Sequence, residues 1–102
     1  MHLVQLFLPL RDNAGTSLPP ALFAAVRAEL TDAFGGITAY QRAPVTGLWE
    51  DDDDSVYRDD LVLFEVMVES LERDWWHRYA GELASRFRQE EILVRALPCE
   101  WL

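Results

Sequence analysis

The chain has 102 residues, with nine basic and 18 acidic side chains and a formal net charge of −9 at neutral pH. Half of the residues are hydrophobic and 26% are charged. This composition predicts that residues 1–102 form a single globular domain, and it excludes a disordered or membrane-spanning chain. Because no basic stripe is present to attract phosphates, we expect neither nucleic acid nor a membrane surface as a partner.

Several kinds of chemistry are excluded by residue counts. All nine basic residues are arginine, so no lysine can form a Schiff base. Cys99 is the only cysteine, and His2 and His77 are the only histidines, so we expect no disulfide, no metal site and no catalytic residues. No phosphate-binding glycine loop occurs, and we expect no cofactor. The apolar run from Leu3 to Leu8 lacks the flanks of a signal peptide, which predicts a cytoplasmic location.

The first half of the chain predicts a strand, a helix and a second strand. The apolar run from His2 to Leu8 is typical of a strand. Pro20 suits the first turn of a helix, and apolar residues then recur at helical spacing until Gly35 ends the pattern. From Ile37 the period changes to two, which predicts a second strand. Pro44 interrupts it and favours a position at the sheet edge.

The second half predicts a hairpin, a helix and a last strand. The acidic run from Glu50 to Asp54 lacks the spacing of a calcium loop and is interpreted as a solvated hairpin tip. Residues Ser55 to Val68 have the composition of a long strand. Ser70 or Asp74 is expected to cap a second amphipathic helix, and Ile92 to Leu97 forms the last strand.

This order, βαββαβ, predicts an α+β fold of the ferredoxin-like type, with both helices on one face of an antiparallel sheet. The first and third strands are expected at the centre, with the last strand beside the first and the second beside the third.

Alternate strand residues separate into two sets, one for each face of the sheet. The wholly apolar set is expected to face the helices; it contains Val4, Leu6, Leu8, Val62, Phe64, Val66, Val68, Ile92, Val94 and Ala96. The other set forms what we call the open face, and it mixes apolar residues with one polar residue per strand: Leu3, Gln5, Phe7, Leu61, Leu63, Glu65, Met67, Leu93, Arg95 and Leu97.

The polar residues of the open face allow two interpretations. In the predicted strand order Gln5 lies between Glu65 and Arg95, and we favour a structural ion pair and hydrogen bond, because a buried charge needs a partner. The alternative is a ligand cleft in which Arg95 or Arg42 binds a carboxylate and Tyr40 or Glu65 transfers a proton. Under that alternative these five residues are the ligand-binding residues.

The apolar part of the open face predicts self-association. An exposed apolar patch of several hundred Å² is unusual on a monomer, so we expect a second copy to cover it in a homodimer. Trp75, on the flank of the second helix, is a further candidate contact, although partial burial against its own domain is commoner for tryptophan. The expected interface comprises Leu3, Phe7, Leu63, Met67, Leu93 and Trp75.

Three segments resemble small, uncharacterised bacterial proteins of ferredoxin-like fold: Phe34-Gly35-Gly36-Ile37-Thr38-Ala39-Tyr40, Gly47-Leu48-Trp49 and Phe87-Arg88-Gln89-Glu90-Glu91-Ile92. The resemblance implies the fold and self-association, and it supplies no catalytic residues. We therefore expect a self-associating accessory or ligand-binding protein. The alternative is a cofactor-free enzyme of the dimeric α+β barrel type, a monooxygenase or isomerase, which acts on a small organic molecule.

Overall fold

The computed structural model describes residues 1–35, 40–41, 45–50 and 56–102, and it describes side chains outside residues 36–60. Its elements in chain order are β1 (His2–Pro9), α1 (Pro20–Phe34), β2 (Tyr40–Gln41), β3 (Val45–Glu50), β4 (Val56–Val68), α2 (Arg73–Arg86) and β5 (Leu93–Pro98). In this described part of the chain, neither helix is long and apolar enough to cross a membrane.

The strands form one antiparallel sheet in the order β2-β4-β1-β5, and β3 also pairs with β4. The 13 residues of β4 are enough to pair with β1 along one edge and with β2 and then β3 along the other. Both helices contribute to a common core with one face of this sheet. The predicted α+β, ferredoxin-like fold and its strand order are confirmed.

The single strand expected after α1 is two strands, which corrects that part of the prediction. Pairing with β4 is described for Tyr40 and Gln41 and again from Val45 onwards. Val45 directly follows Pro44, which has no backbone N–H to donate to a strand partner. Of the hairpin tip expected at Glu50 to Asp54, Glu50 is the last residue of β3, and residues 51–54 lie outside the described residues.

The helix ends agree with the sequence for α1 and differ for α2. Pro20 occupies the first turn of α1, and Gly35, with a φ of 38°, ends it by donating its N–H to the Thr31 carbonyl at 2.9 Å. Glu72 precedes α2 and makes no side-chain capping bond, so neither Ser70 nor Asp74 is its cap. Ser70 lies too early in the chain, and Asp74 lies inside the first turn.

The core lies between the helices and the set of strand residues predicted to face them. In β1 and β4 every member of that set is buried, and it packs with buried residues of both helices, among them Val26, Leu30 and Leu83. Val94 and Ala96 of β5 are only half-buried. The predicted assignment of faces is therefore confirmed, and the helix-facing residues of β5 are less buried than those of β1 and β4.

Candidate functional site

Four polar residues occupy directly opposed positions in the backbone register, one on each of four neighbouring strands. Tyr40 of β2 is opposite Glu65 of β4, Glu65 is opposite Gln5 of β1, and Gln5 is opposite Arg95 of β5. Directly opposed residues of antiparallel strands have Cβ atoms about 4.5–5.5 Å apart. We call these four residues the polar row. The register thus brings together four of the five predicted ligand-binding residues.

Hydrogen bonds connect three members of the polar row. The Gln5 amide Nε2 donates to Glu65 Oε2 at 2.9 Å, and Arg95 Nε donates to Gln5 Oε1 at 2.7 Å. The bond from Arg95 has a charged donor, which makes it stronger than a bond between neutral groups. Gln5 thus connects the Glu65 carboxyl group to the Arg95 guanidinium through two hydrogen bonds, whereas the expected ion pair between Glu65 and Arg95 stays a prediction.

Along the polar row, the exposed fraction of the side chains rises from Glu65 to Arg95. Glu65 is 2% exposed and Gln5 is 9% exposed, whereas Arg95 is an exposed residue. Because a buried carboxylate loses its hydration, the bond from Gln5 is an important part of what holds Glu65 in place. The Arg95 guanidinium carbon lies 5.2 Å from the centroid of the Phe7 ring, a cation–π contact that keeps the charge over the open face.

The predicted interface residues on the open face differ in how much surface they offer. Leu93 is 57% exposed, and Leu3, Phe7 and Met67 are half-buried. Leu63 is only 5% exposed within the single chain, so it has little surface left for a partner to cover. Sequence parity identified the face, but it could not distinguish the centre of the sheet from its rim.

Trp75 packs against its own helices. Its ring centroid lies 5.1 Å from that of Phe34 and 4.8 Å from that of Trp76, both edge to face, and it stacks on Tyr79 at 4.9 Å. It is half-buried in this aromatic cluster, on the helix side of the sheet. A partner contact at Trp75 stays a prediction, and packing within the domain accounts for its position.

A groove of about 510 Å³ lies on the open face next to the polar row. Its floor includes Phe7 and Leu93, which are opposite each other two residues along the strands from Gln5 and Arg95. Gln89 forms part of the wall, and its Nε2 donates to the Arg11 and Phe87 carbonyls, both at 3.0 Å. This volume is in the range of small-molecule sites. The residues that line the groove are Phe7, Pro9, Leu61, Gln89, Glu91, Ile92, Leu93 and Val94.

Gln89 and Glu91 were not predicted as site residues. They precede β5 in the chain, and only the closure of β5 against β1 brings them to the groove. Their polarity next to a strand end is the only sequence signal, and many solvated loops share it.

The remaining predicted site residues are described only in part or not at all. For Tyr40 the structure describes the backbone position, and Arg42 and the acidic residues Asp51 to Asp54 lie outside the described residues. Within the described ranges, no cluster of three or more His, Cys, Asp or Glu side chains could hold a metal ion.

A second polar network connects the two helices, and no sequence pattern predicted it. The Tyr79 hydroxyl donates to Glu29 Oε1 at 2.9 Å, and Arg86 Nη1 donates to the same oxygen at 2.7 Å. The bond from Arg86 is the main cause that lowers the pKa of Glu29, whereas burial, with the bond to Glu29, raises the pKa of Tyr79. These contacts join α1 to α2 on the side of the sheet away from the open face.

Comparisons with known proteins show the fold and leave the family open. No family model matches the chain, and no curated protein matches it. Among solved structures, a phage SAM lyase in complex with S-methyl-5'-thioadenosine is similar, with a TM-score of 0.60, 13% identity, and coverage of 94% of this chain and 79% of that one. A phage SAM lyase in the apo state has a TM-score of 0.53, 15% identity, and coverage of 99% and 91%. The chain is similar in fold to these two structures.

Proposed function

We propose that this protein is a ligand-binding domain that associates with a second copy through the open face. The observation that carries the proposal is the polar row itself. Among the apolar residues described on this face, hydrogen-bonded groups lead from the buried Glu65 to the exposed Arg95. This row ends beside a groove of about 510 Å³. Polar groups that can bind a ligand therefore lie next to a space that can hold one.

The apolar surface around Arg95 supports self-association. Leu93 and Leu97 are on either side of Arg95 on the same face of β5 and are 57% and 40% exposed. β5 is the last strand in the sheet order, so its outer edge faces no described strand. A second copy that covers this apolar surface would also enclose the groove and shield the polar row from water.

The groups around the groove favour a ligand that carries both charges and a flat apolar part. Arg95 suits a carboxylate, Glu91 suits a cation, and Phe7, Leu61 and Leu93 suit an aromatic ring. S-adenosylmethionine combines a carboxylate, positively charged groups and an adenine ring. The likeness in fold to SAM lyase supports S-adenosylmethionine and S-methyl-5'-thioadenosine as the first ligands to test.

The test is calorimetric titration of the protein with each of these two compounds. We expect Arg95→Ala to weaken binding of S-adenosylmethionine by about tenfold, the effect of one charged hydrogen bond. Arg78→Ala removes the same side chain from an exposed position on α2 and is the matched control, with unchanged affinity expected. The absence of binding of either compound at millimolar concentration, or equal losses in the two variants, would contradict the proposal.

A second candidate function is an enzyme that cleaves such a ligand. The likeness to SAM lyase favours it, together with the buried carboxylate of Glu65 opposite the phenol-bearing Tyr40, since these two residue types can move a proton. Incubation with S-adenosylmethionine and chromatographic measurement of S-methyl-5'-thioadenosine tests this function. If S-methyl-5'-thioadenosine is released no faster than in protein-free buffer, the enzyme function is excluded and only the binding function remains. Release that Glu65→Gln abolishes would favour the enzyme.

A further inference from the structure

The groove on the open face has few polar side chains, and their chemistry limits what it can bind. Among the described residues that line it, only Gln89 and Glu91 have polar side chains, and the others are apolar. The Glu91 carboxylate can only accept hydrogen bonds, whereas an amide can accept or donate. The hydrogen-bonding character of the groove therefore depends on which end of the Gln89 amide is free.

The orientation of the Gln89 amide is fixed by its two partners. Its Nε2 donates to the backbone carbonyl oxygens of Arg11 and Phe87, both at 3.0 Å. A carbonyl has no proton to donate, so both partners require the NH2 end of the amide. A reversed amide would lose both hydrogen bonds and place Oε1 against two oxygens. Gln89 thus uses both of its side-chain N–H groups within the protein.

The backbone around the Gln89 amide is also hydrogen-bonded. Arg11 lies in the loop between β1 and α1, where Asp12 Oδ1 accepts the backbone N–H of Thr16 at 2.9 Å. Gln89 donates its own backbone N–H to the Ala84 carbonyl, near the end of α2, at 2.8 Å. The amide is therefore held from two directions, by the loop after β1 and by the end of α2.

The amide oxygen of Gln89 is free to bind a ligand. Oε1 accepts no hydrogen bond from the described residues, and it is not a buried atom. Together with the Glu91 carboxylate, it gives the described side chains of the groove acceptors and no free donor. A ligand that matches this groove therefore supplies the donors.

The apolar lining adds a requirement on shape and charge. Phe7 and Leu93, which lie opposite each other on β1 and β5, form part of the floor of the groove. An aromatic ring packs well on such side chains, and a neutral ring leaves water at a lower cost than an ion does. An amino group on the ring supplies two N–H donors in the plane of the ring. A neutral aromatic amine therefore satisfies the floor and the wall together.

We propose that Gln89 determines the specificity of the groove, by accepting a hydrogen bond at Oε1 from the amino group of a neutral aromatic amine. The 6-amino group of adenine is of this kind. The inference rests on the proposed function, because it concerns the same groove. It identifies the residue that distinguishes a ring with an amino group from a ring without one.

The test compares 9-methyladenine with 9-methylpurine, two neutral compounds that differ only in the 6-amino group. Their affinities are measured by NMR titration at up to tens of millimolar, with the backbone N–H signals of residues 89–94 as the readout. We expect 9-methyladenine to bind about fivefold more tightly, the effect of one hydrogen bond between neutral groups. Equal affinities, or no binding of 9-methyladenine, would overturn the proposal.

A variant of Gln89 tests whether this residue causes the preference. Gln89→Met removes the amide and keeps an unbranched side chain of similar length, and we expect the two compounds to bind it equally. Glu90→Met places the same side chain at an exposed neighbouring position outside the described lining and is the matched control, with the preference unchanged. A preference that persists in Gln89→Met would overturn the proposal.

A third compound keeps the proposal testable if Gln89→Met does not fold. The 6-dimethylamino analogue of 9-methyladenine retains the amino nitrogen and has no N–H to donate. We expect it to bind the wild type no more tightly than 9-methylpurine does, and affinity equal to that of 9-methyladenine would overturn the proposal.

The outcome is distinguishable from a failure of the proposed function. If S-methyl-5'-thioadenosine binds but 9-methyladenine shows no preference over 9-methylpurine, the proposed function stands and the role of Gln89 is wrong. If 9-methyladenine is preferred through Gln89 but neither S-adenosylmethionine nor S-methyl-5'-thioadenosine binds, the role of Gln89 stands and these two compounds are not the ligands.

Discussion

The two faces of the sheet differ in the polarity and the burial of their described residues. On the helix side, the alternate residues from Val4 to Leu8 in β1 and from Val62 to Val68 in β4 are apolar and buried. On the open side, the same strands carry Gln5 and Glu65 among apolar neighbours, and burial falls steeply towards β5. Alternate residues of one strand thus have different roles: those on the helix side pack in the core, and those on the open side include polar groups that bind one another.

The comparison shows where a change is expected to affect stability and where it is expected to affect binding. A residue on the helix side has packed atoms all around it, so its removal leaves a cavity. A residue at the rim of the open face loses little on truncation, because water already covers much of it. Between them, the polar row depends on hydrogen bonds, and its response to mutation is expected to be intermediate.

The largest effect is expected from Phe64→Ala on the helix side. Phe64 is fully buried, and its truncation is expected to lower the free energy of unfolding by about 3–5 kcal/mol. Leu93→Ala, at an exposed position of the open face, is the contrast and is expected to cost less than about 0.5 kcal/mol. Urea denaturation measures both values, and similar costs would contradict the difference between the faces.

The next effect is expected from Gln5→Leu, which removes both described hydrogen bonds of the polar row at once. The buried Glu65 carboxylate then loses an amide donor, and we expect a cost of about 1–3 kcal/mol in the free energy of unfolding. Arg95→Ala removes only the outer bond, at an exposed residue, and is expected to cost less than about 1.5 kcal/mol. If Gln5→Leu leaves the free energy of unfolding unchanged, the polar row does not stabilise the fold.

A smaller, pH-dependent effect is expected from the Glu29 network on the helix side. Hydrogen bonding by Arg86 lowers the pKa of Glu29 below its ordinary value of 4.5. The stabilisation is therefore complete above that value and is lost as the pH falls through the lower pKa of the folded state. Because the Glu29 side chain is 40% exposed, water screens the interaction, and we expect less than about 1 kcal/mol.

Arg86→Ala tests this network, with Arg78→Ala on the same helix as the control. The free energy of unfolding is measured by urea denaturation at neutral pH and at several values below the ordinary pKa of Glu29. We expect the wild type and Arg78→Ala to lose more stability on acidification than Arg86→Ala does. An identical loss in all three proteins would show that Glu29 titrates alike in the folded and unfolded states.

The smallest effect on folding, but a large one on association, is expected from Leu93→Asp. The aspartate adds a charge to the exposed part of the open face, so it should prevent the proposed association of two copies while leaving the fold of each intact. Ala25→Asp adds the same charge at an exposed position of α1 and is the control. Sedimentation velocity measures the change, and a wild-type monomer at tens of micromolar would contradict the association itself.

Much of the fold was predictable because its signals are local. The helix start at Pro20, the end at Gly35 and the alternation along β1 and β4 each depend on nearby residues in the chain. The split of one expected strand into β2 and β3 was missed, because composition alone did not show that the long β4 pairs with both. The α2 start was also missed, since Glu72 makes no side-chain cap that a sequence pattern could reveal.

The sequence by itself determined which residues share a face, because the side-chain period of a strand is two and a one-residue slip would expose the core. Together with the strand order that the element order βαββαβ predicted, it also placed Gln5 between Glu65 and Arg95. Only the tertiary structure decided that the amide of Gln5 connects the Glu65 carboxyl group to the Arg95 guanidinium, and that Leu63 is buried whereas Leu93 is exposed. These outcomes depend on distances between elements far apart in the chain, which packing sets and no local pattern encodes.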